Sequence, residues 1–575
     1  MKRKYIISFV FAAALVSFNA AAQNLDPTVE ISRAYEGKIM EAKKPVREIN
    51  VPDSVGTFRL DFDYSVFENP YRGAYEFNPY FMSMRPAGSA YEPKSFYLKV
   101  GAGYRLYPEL DLIWSPTFKK GFGMDVYASH QSYIGDYRNI GLSGEPGADR
   151  KLVQNGDETW NGYDMVSKAG VNGRYAWKAG DFGFNVNYYG QAGKTMLRSR
   201  CYDAVDASLS LSSNKNAATS FLYDAELRYR FAEDKLKGDR AGYLKENLAS
   251  LNGHFGYVFN SGDRLMFNYG AQMASYGSGV RGTAGKFNII PHYVMRRGRF
   301  ALDAGVKVDM VIPSQDIELG NIYNAEGQQY VYPDIKVSYN IIKDAMSAYV
   351  DLSGGTHMNT YADLLAMNHY YDYTYGQQCF DANIDRLHTQ IGLKGRVGKK
   401  FSYNVRAGYA IAQAGILPTV LFSGEQLFSD MKYAQFNKAY TSLDWRWDTD
   451  SFKFDGTVCY TQTWNHKNAE NLLLPAAFSG NAAFEYNWKR RIFVGVDCEF
   501  STERKIAAVP DHMKMIASAV SVPGWADLGI SAEYALNRKL SFWLRGGNLC
   551  CMTIQRTPLY AEGGINFTAG ICLNL

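Results

Sequence analysis

Three things are scarce in this chain, and each scarcity closes off a class of protein. Cysteine is the first: seven in 575 residues, an odd number, is too few for a disulfide scaffold. Cys459, Cys498 and Cys572 fall inside strand-like runs, where cysteine serves as a small hydrophobe. Cys201, Cys379, Cys550 and Cys551 have neither a CxxC partner nor a histidine at ligand spacing, so no metal site and no cofactor are expected. The second scarcity is of long apolar runs. Beyond the amino terminus nothing approaches the roughly 18 consecutive apolar residues that a spanning helix requires, so any membrane crossing there must be made of strands. The third is a charge excess of either sign: 62 basic against 57 acidic residues leave a net +5, which argues against a nucleic-acid partner.

The amino terminus supplies a destination. Lys2, Arg3 and Lys4 precede an apolar stretch from Tyr5 to Phe18 and the small residues Ala20, Ala21 and Ala22. This pattern predicts a secretory signal peptide over residues 1–22, cleaved after Ala22. No cysteine follows the cleavage site, so a lipid anchor is not expected.

Aromatic residues, by contrast, make up 15% of the chain, with 43 Tyr, 33 Phe and 9 Trp, alongside 53 Gly. They recur with period two. In "HTQIGLKGRVGKKFSYNVRAGYAIA", residues 388–412, Ile391, Leu393 and Val397 alternate with polar residues. Phe401, Tyr403, Val405, Tyr409 and Ile411 do the same beyond the turn at Gly398, which reads as an antiparallel hairpin. The pattern repeats from about residue 95 to Leu575. Up-and-down parity fails between residues 190 and 250 unless the weak alternation Val205, Ala207, Leu209, Leu211 in "CYDAVDASLSLSS" is also a strand. Including it gives about 22 strands, an even number suited to a closed barrel. Tight turns then fall at one end and nearly all long connections at the other. The predicted fold class is therefore all-β: a transmembrane antiparallel β-barrel over residues 95–575, with short periplasmic turns and long extracellular loops.

Alternation assigns the two faces. The apolar face meets lipid, and Tyr175 with Trp177, Trp445 with Trp447 and Tyr486 with Trp488 form a girdle near the periplasmic turns. The polar face lines a lumen, with Arg228, Arg230, Asp303, Lys307, Arg406, Asp444 and Arg446 among its residues. Their mixed signs point to a cross-linked interior or a channel of weak ion selectivity, since a selective pore favours rings of one sign.

The phrases "GLKGRVGKKFSYNVRAGYA" and "YLKVGAGYRLYPELDLIWSP", with the strand number and loop asymmetry, resemble the barrel of a TonB-dependent outer-membrane receptor of the kind found in Bacteroidota. The resemblance implies a location in the cell outer membrane of a Gram-negative bacterium and a part in uptake or passage of a solute. Two features depart from it. Residues 23–94 are too short for the family's folded plug domain, and they show no convincing TonB box, which makes coupling to TonB doubtful. That segment reads as a reduced plug, a docking strip for a periplasmic partner, or an extended arm in the barrel mouth. The alternative to a transport barrel is accordingly a plugless scaffold that binds other envelope proteins.

Candidate sites are few. Tyr370, Tyr371, Tyr373 and Tyr375 crowd "YADLLAMNHYYDYTYGQQCF", residues 361–380, where they could stack on sugar rings, contact a surface lipoprotein, or pack the loop against itself. His130 and Ser132 in "YASHQS" lack a third group and oxyanion donors, so no catalytic residue and no enzyme activity are expected.

Overall fold

In the computed structural model, the described residues are 95–575 apart from 105, 119–120, 145–149, 214–219, 239–240, 313–328, 344, 375–379, 424–425, 468–474 and 511–517. The expected signal peptide, residues 23–94 and Tyr375 lie outside them.

Alternation in the sequence becomes file upon file in the sheet. Leu393 stands opposite Val405, and Val405 opposite Leu443, so apolar side chains of successive strands line up on one face. Val405 is 41% exposed on that outward face, while its neighbour Arg406 is 7% exposed on the inner one. A one-residue slip would exchange the two, which is why the apolar pattern fixes register so firmly. Leu227, Tyr229, Ile391, Leu443, Phe542 and Leu544 continue the outward apolar band. In water such a band would be a large aggregation surface, whereas acyl chains cover it without penalty.

Twenty-two strands follow one another antiparallel round the wall, from Phe96–Tyr104 to Asn566–Asn574. These two pair with each other from Tyr97–Asn574 to Tyr104–Phe567, and Phe96 N–H donates to the Leu575 carbonyl, so the sheet closes without an edge. The weak segment around Val205 is a full strand, Arg198–Ser213, paired on both sides. Its outward residues Val205, Leu209 and Leu211 are exposed.

One hairpin stands outside this circuit. Ile492–Ser501 pairs directly with Trp525–Ala535, passing over Arg504–Pro510 and Ser518–Val522. The first of these runs parallel to Thr419–Phe422, and the second meets Arg150 and Lys151. Those docking strands, Phe401–Ser423 and Arg150–Trp177, are the fifteenth and fourth of the wall, half a circuit apart. The hairpin therefore joins opposite sides of the long-loop end.

Strand lengths are uneven. Glu109–Trp114 has 6 residues and Leu540–Gly547 has 8, whereas Arg150–Trp177 has 28 and Gln426–Asp448 has 23. About 9–11 residues cross a bilayer, so the longer strands run well past the apolar band. Much of the predicted long-loop length is thus prolonged hairpin: Lys194 and Arg198, like Ser278 and Gly282, are joined by tight turns at the same end as the long loops. A ladder satisfies the backbone groups that an irregular loop would leave to water. At the other end, Lys489 and Arg490 form a tight turn with φ of 50° and 56°, a conformation that favours Asn-Gly and costs a branched-out side chain roughly 1 kcal/mol or more.

Candidate functional site

Two segments of the chain pack inside the long-loop end, in two storeys. The lower one is formed by residues 359–374 and 380–381, which turn into the barrel. Thr360 caps its helix, Tyr361–Met367, in a reciprocal capping box with Asp363. Tyr361, Leu364 and Leu365 are buried, the i, i+3, i+4 spacing that makes one apolar stripe. They join a core with Tyr202, Leu236, Leu244, Tyr276, Phe380 and Met431, all on or beside the wall. The Tyr361 ring lies 5.9 Å from Phe380 and 5.8 Å from Tyr373.

Polar locks hold this segment to the wall from several sides. The Tyr361 hydroxyl donates to Asp234, and its backbone N–H donates to Glu246 Oε2 at 2.7 Å. Arg200 bonds Asp234 at 3.2 Å and the His369 carbonyl at 2.8 Å, and donates to the Tyr371 carbonyl as well. Arg198 pairs with Asp372 at 3.0 Å and donates to Thr374 Oγ1 at 2.8 Å. His369 meets Asp164 at 2.7 Å, and Asn368 donates to Ser429 Oγ at 3.0 Å. The outward neighbours of this tier include Glu233, Lys235 and Lys245, so the wall here stands above the apolar band. A small pocket remains beside the segment, lined in part by Gln191, Arg198, Arg200, His369, Tyr370 and Tyr560.

The upper storey is the bridging hairpin. Ile506, Ala508, Val520 and Val522 pack with Ile140, Leu152, Val420 and Ala561. The final connection, 548–565, ties the storeys together. Gln555 Nε2 donates to the Leu152 carbonyl at 3.0 Å, Arg504 donates to the carbonyls of Gln555 and Arg556, and Tyr560 stacks on Tyr370 at 3.7 Å. Arg556 gathers Glu499 at 2.6 Å, Asp527 at 3.2 Å and Glu562. Burial raises the Glu562 carboxyl to about 7, against the opposing pull of Arg556.

Of the readings open for the tyrosines of 361–380, contact with a sugar or lipoprotein or packing of the loop against itself, the described three are engaged in packing. Tyr371 and Tyr373 are buried, and Tyr370 is half-buried under Tyr560, because the segment's apolar residues have more surface to gain inside the barrel than in water. The residues expected to line the lumen lie on the inner face lower down. Arg228 and Arg230 both reach Asp206, at 2.7 and 3.0 Å. Asp303 meets His292 at 2.6 Å, Lys307 lies 3.8 Å from Asp309, Arg406 is 3.3 Å from Asp444, and Arg446 is 3.4 Å from Asp448. His130 contacts Ser167 at 2.8 Å, on the adjacent strand. Sequence reasoning passed over Arg200, Asp234, Glu246, Tyr361 and Tyr560. Two signals were available: inward-parity carboxylates above the apolar band, and "TYADLLAM", a capping pattern inside what otherwise reads as a loop.

No family model matches the sequence, and no curated protein matches it. Solved structures do match in fold. The chain is similar to the copper transporter OprC, with a TM-score of 0.62 at 10% identity over 85% of this chain and 81% of that one. It is similar to the siderophore receptor PiuA from Acinetobacter baumannii, with 0.60 at 10% identity over 85% and 82%. It is also similar to the ferric-catecholate import receptor Fiu from E. coli K12, with 0.60 at 9% identity over 84% and 82%. At such identities the likeness shows a shared barrel fold.

Proposed function

We propose that this chain is an outer-membrane barrel that takes part in the passage of a solute and whose outer mouth is shut by its own loops. One observation carries the reading: a closed wall with an apolar outer band and a polar inner face, occupied at one end by a segment held through buried hydrogen bonds and ion pairs. The fold it shares with a copper transporter and a siderophore receptor supports uptake as the direction, with the long-loop end outermost. The solute is not named by these residues. In this reading Arg200, Asp234 and Tyr361 hold the stopper, and the mixed charges around Asp206, Asp303 and Asp444 line the path below.

A second reading, an accessory barrel that binds other envelope proteins, is favoured by the depth of the stopper's core, which resembles a permanent element more than a gate. Planar-bilayer conductance separates the two. The wild-type barrel is expected to be silent or nearly so, and Arg200→Met to show frequent openings. A silent Arg200→Met variant that is folded and inserted would favour the scaffold. A wild type that conducts steadily would overturn the shut mouth.

A further inference from the structure

The two ends of the wall differ in the sign of their charge. Beyond the band at the long-loop end the signs mix, as where Lys235 pairs with Glu233 at 3.1 Å and Lys151 with Glu503 at 3.8 Å. At the other end, four of the six turns between 296 and 540 read "RRGR" at 296–299, "GKK" at 398–400, "KRR" at 489–491 and "NRK" at 537–539, every cation in them exposed, and the other two read "KDA" at 343–345 and "DTDS" at 448–451. The described acids in the turns of that arc are Asp448 and Asp450, within a single turn, and Asp263 from the preceding turn takes Arg297 at 3.3 Å.

Depth is marked independently of charge. Tyr339, Trp447, Tyr486, Trp488 and Tyr534 all point outward from the strand ends beside these turns, each more than 40% exposed. Amphipathic rings of this kind sit at headgroup level. Lys489 Nζ lies 5.3 Å from the Trp488 ring, which puts cation and ring at one depth. The backbone adds a second observation: Lys489 and Arg490 occupy positive-φ positions where glycine and asparagine are at ease. Long cations stand there against the local conformational preference.

We propose that this basic arc is a binding surface for the headgroups of anionic phospholipids in the leaflet at the tight-turn end. The inference rests on the reading of the wall as membrane-spanning, and is independent of whether the barrel conducts. An acidic protein partner would be better served by cations gathered into a patch. Here they are spread over several turns at one depth, following the plane of a leaflet.

Native mass spectrometry of the full chain, released from bilayers containing both phosphatidylglycerol and phosphatidylcholine, tests the proposal. The wild type is expected to retain phosphatidylglycerol in preference, with the preference fading as salt rises. Lys399→Gln, Lys400→Gln, Arg490→Gln and Arg491→Gln combined should weaken that retention by roughly tenfold or more. Lys399→Arg with Lys400→Arg should keep it. Equal retention of the two lipids by the wild type, or a preference unmoved by salt, would overturn the proposal even if the fourfold variant failed to fold. So would salt-sensitive binding of a polyglutamate peptide without any lipid preference, which would point to an acidic protein. A chain that never enters bilayers would instead sink the membrane reading beneath both proposals.

Discussion

Arg200 and Arg228 stand on neighbouring strands, both on the inner face, and each is paired with an aspartate. Yet the side chain of Arg200 is 8% exposed over an Asp234 at 0%, whereas Arg228 is 41% exposed beside Asp206 at 15%. The chemistry is the same and the surroundings are not. The Arg200–Asp234 pair is desolvated, so it persists only because every nitrogen of the guanidinium finds an acceptor, two of them carbonyls of the inward segment. Arg228 and Asp206 keep a share of water and trade partners cheaply. One arginine fastens a loop, and the other shapes the field along a wall.

The largest expected effect comes from breaking the upper pair. Arg200→Met leaves Asp234 buried beside an apolar chain, and should destabilise the stopper by roughly 3–5 kcal/mol. Limited proteolysis within 359–381 should become rapid, while Arg228→Met, at roughly 0–1 kcal/mol, should leave the digestion pattern as in the wild type. Comparable cleavage in the two variants would erase the distinction between tiers.

Next in size is the contrast between the faces of a single strand. Val405→Arg puts a charge on the outward band at a cost of roughly 2–4 kcal/mol near the midplane, seen as a smaller heat-modifiable fraction on a gel. Arg406→Val is not free either, since Arg406 is buried against Asp444 and Ser442. Asp444 keeps Thr457 at 3.0 Å and Asn404 at 3.3 Å as donors, so the loss should be about 1–3 kcal/mol, below that of Val405→Arg near the midplane. A larger effect at Arg406 would place the interior network, rather than the lipid face, in control of assembly.

A smaller effect concerns pH at the outer storey. Glu562 titrates near 4.5 when exposed and near 7 when folded, so the folded state binds the extra proton between those values. Its contribution to stability is therefore whole below about 4.5 and is lost as pH rises through about 7. Protease resistance of 548–565 should decline slightly over that window in the wild type, and Glu562→Gln should flatten the decline. A wild type whose resistance rises with pH would reverse the assignment.

The wall was largely legible in the sequence because period two leaves little choice: Val405 must face one solvent and Arg406 the other, and closure demands an even strand number. Even the weak Val205–Leu211 alternation was recoverable from parity. The mouth was not legible. Tyr371 and Tyr373 look the same in sequence whether a loop folds outward or inward, and the choice depends on partners as distant as Tyr202, Asp234 and Tyr560. The bridging hairpin escaped notice because Ile506, Ala508, Val520 and Val522 are a short run between two full wall strands, and its docking partners lie half a circuit apart.

Hydrogen exchange of the folded barrel in a bilayer tests the closed mouth most directly. If the inward segment is a locked stopper, the amides of Leu364 and Asn368, bonded within the helix of 361–367, should be protected to nearly the level of the wall strand Phe401–Ser423, and far beyond the exposed turn at 398–400. Exchange in 361–367 as fast as at 398–400 would contradict the account, because a segment that opens so readily cannot be what shuts the barrel.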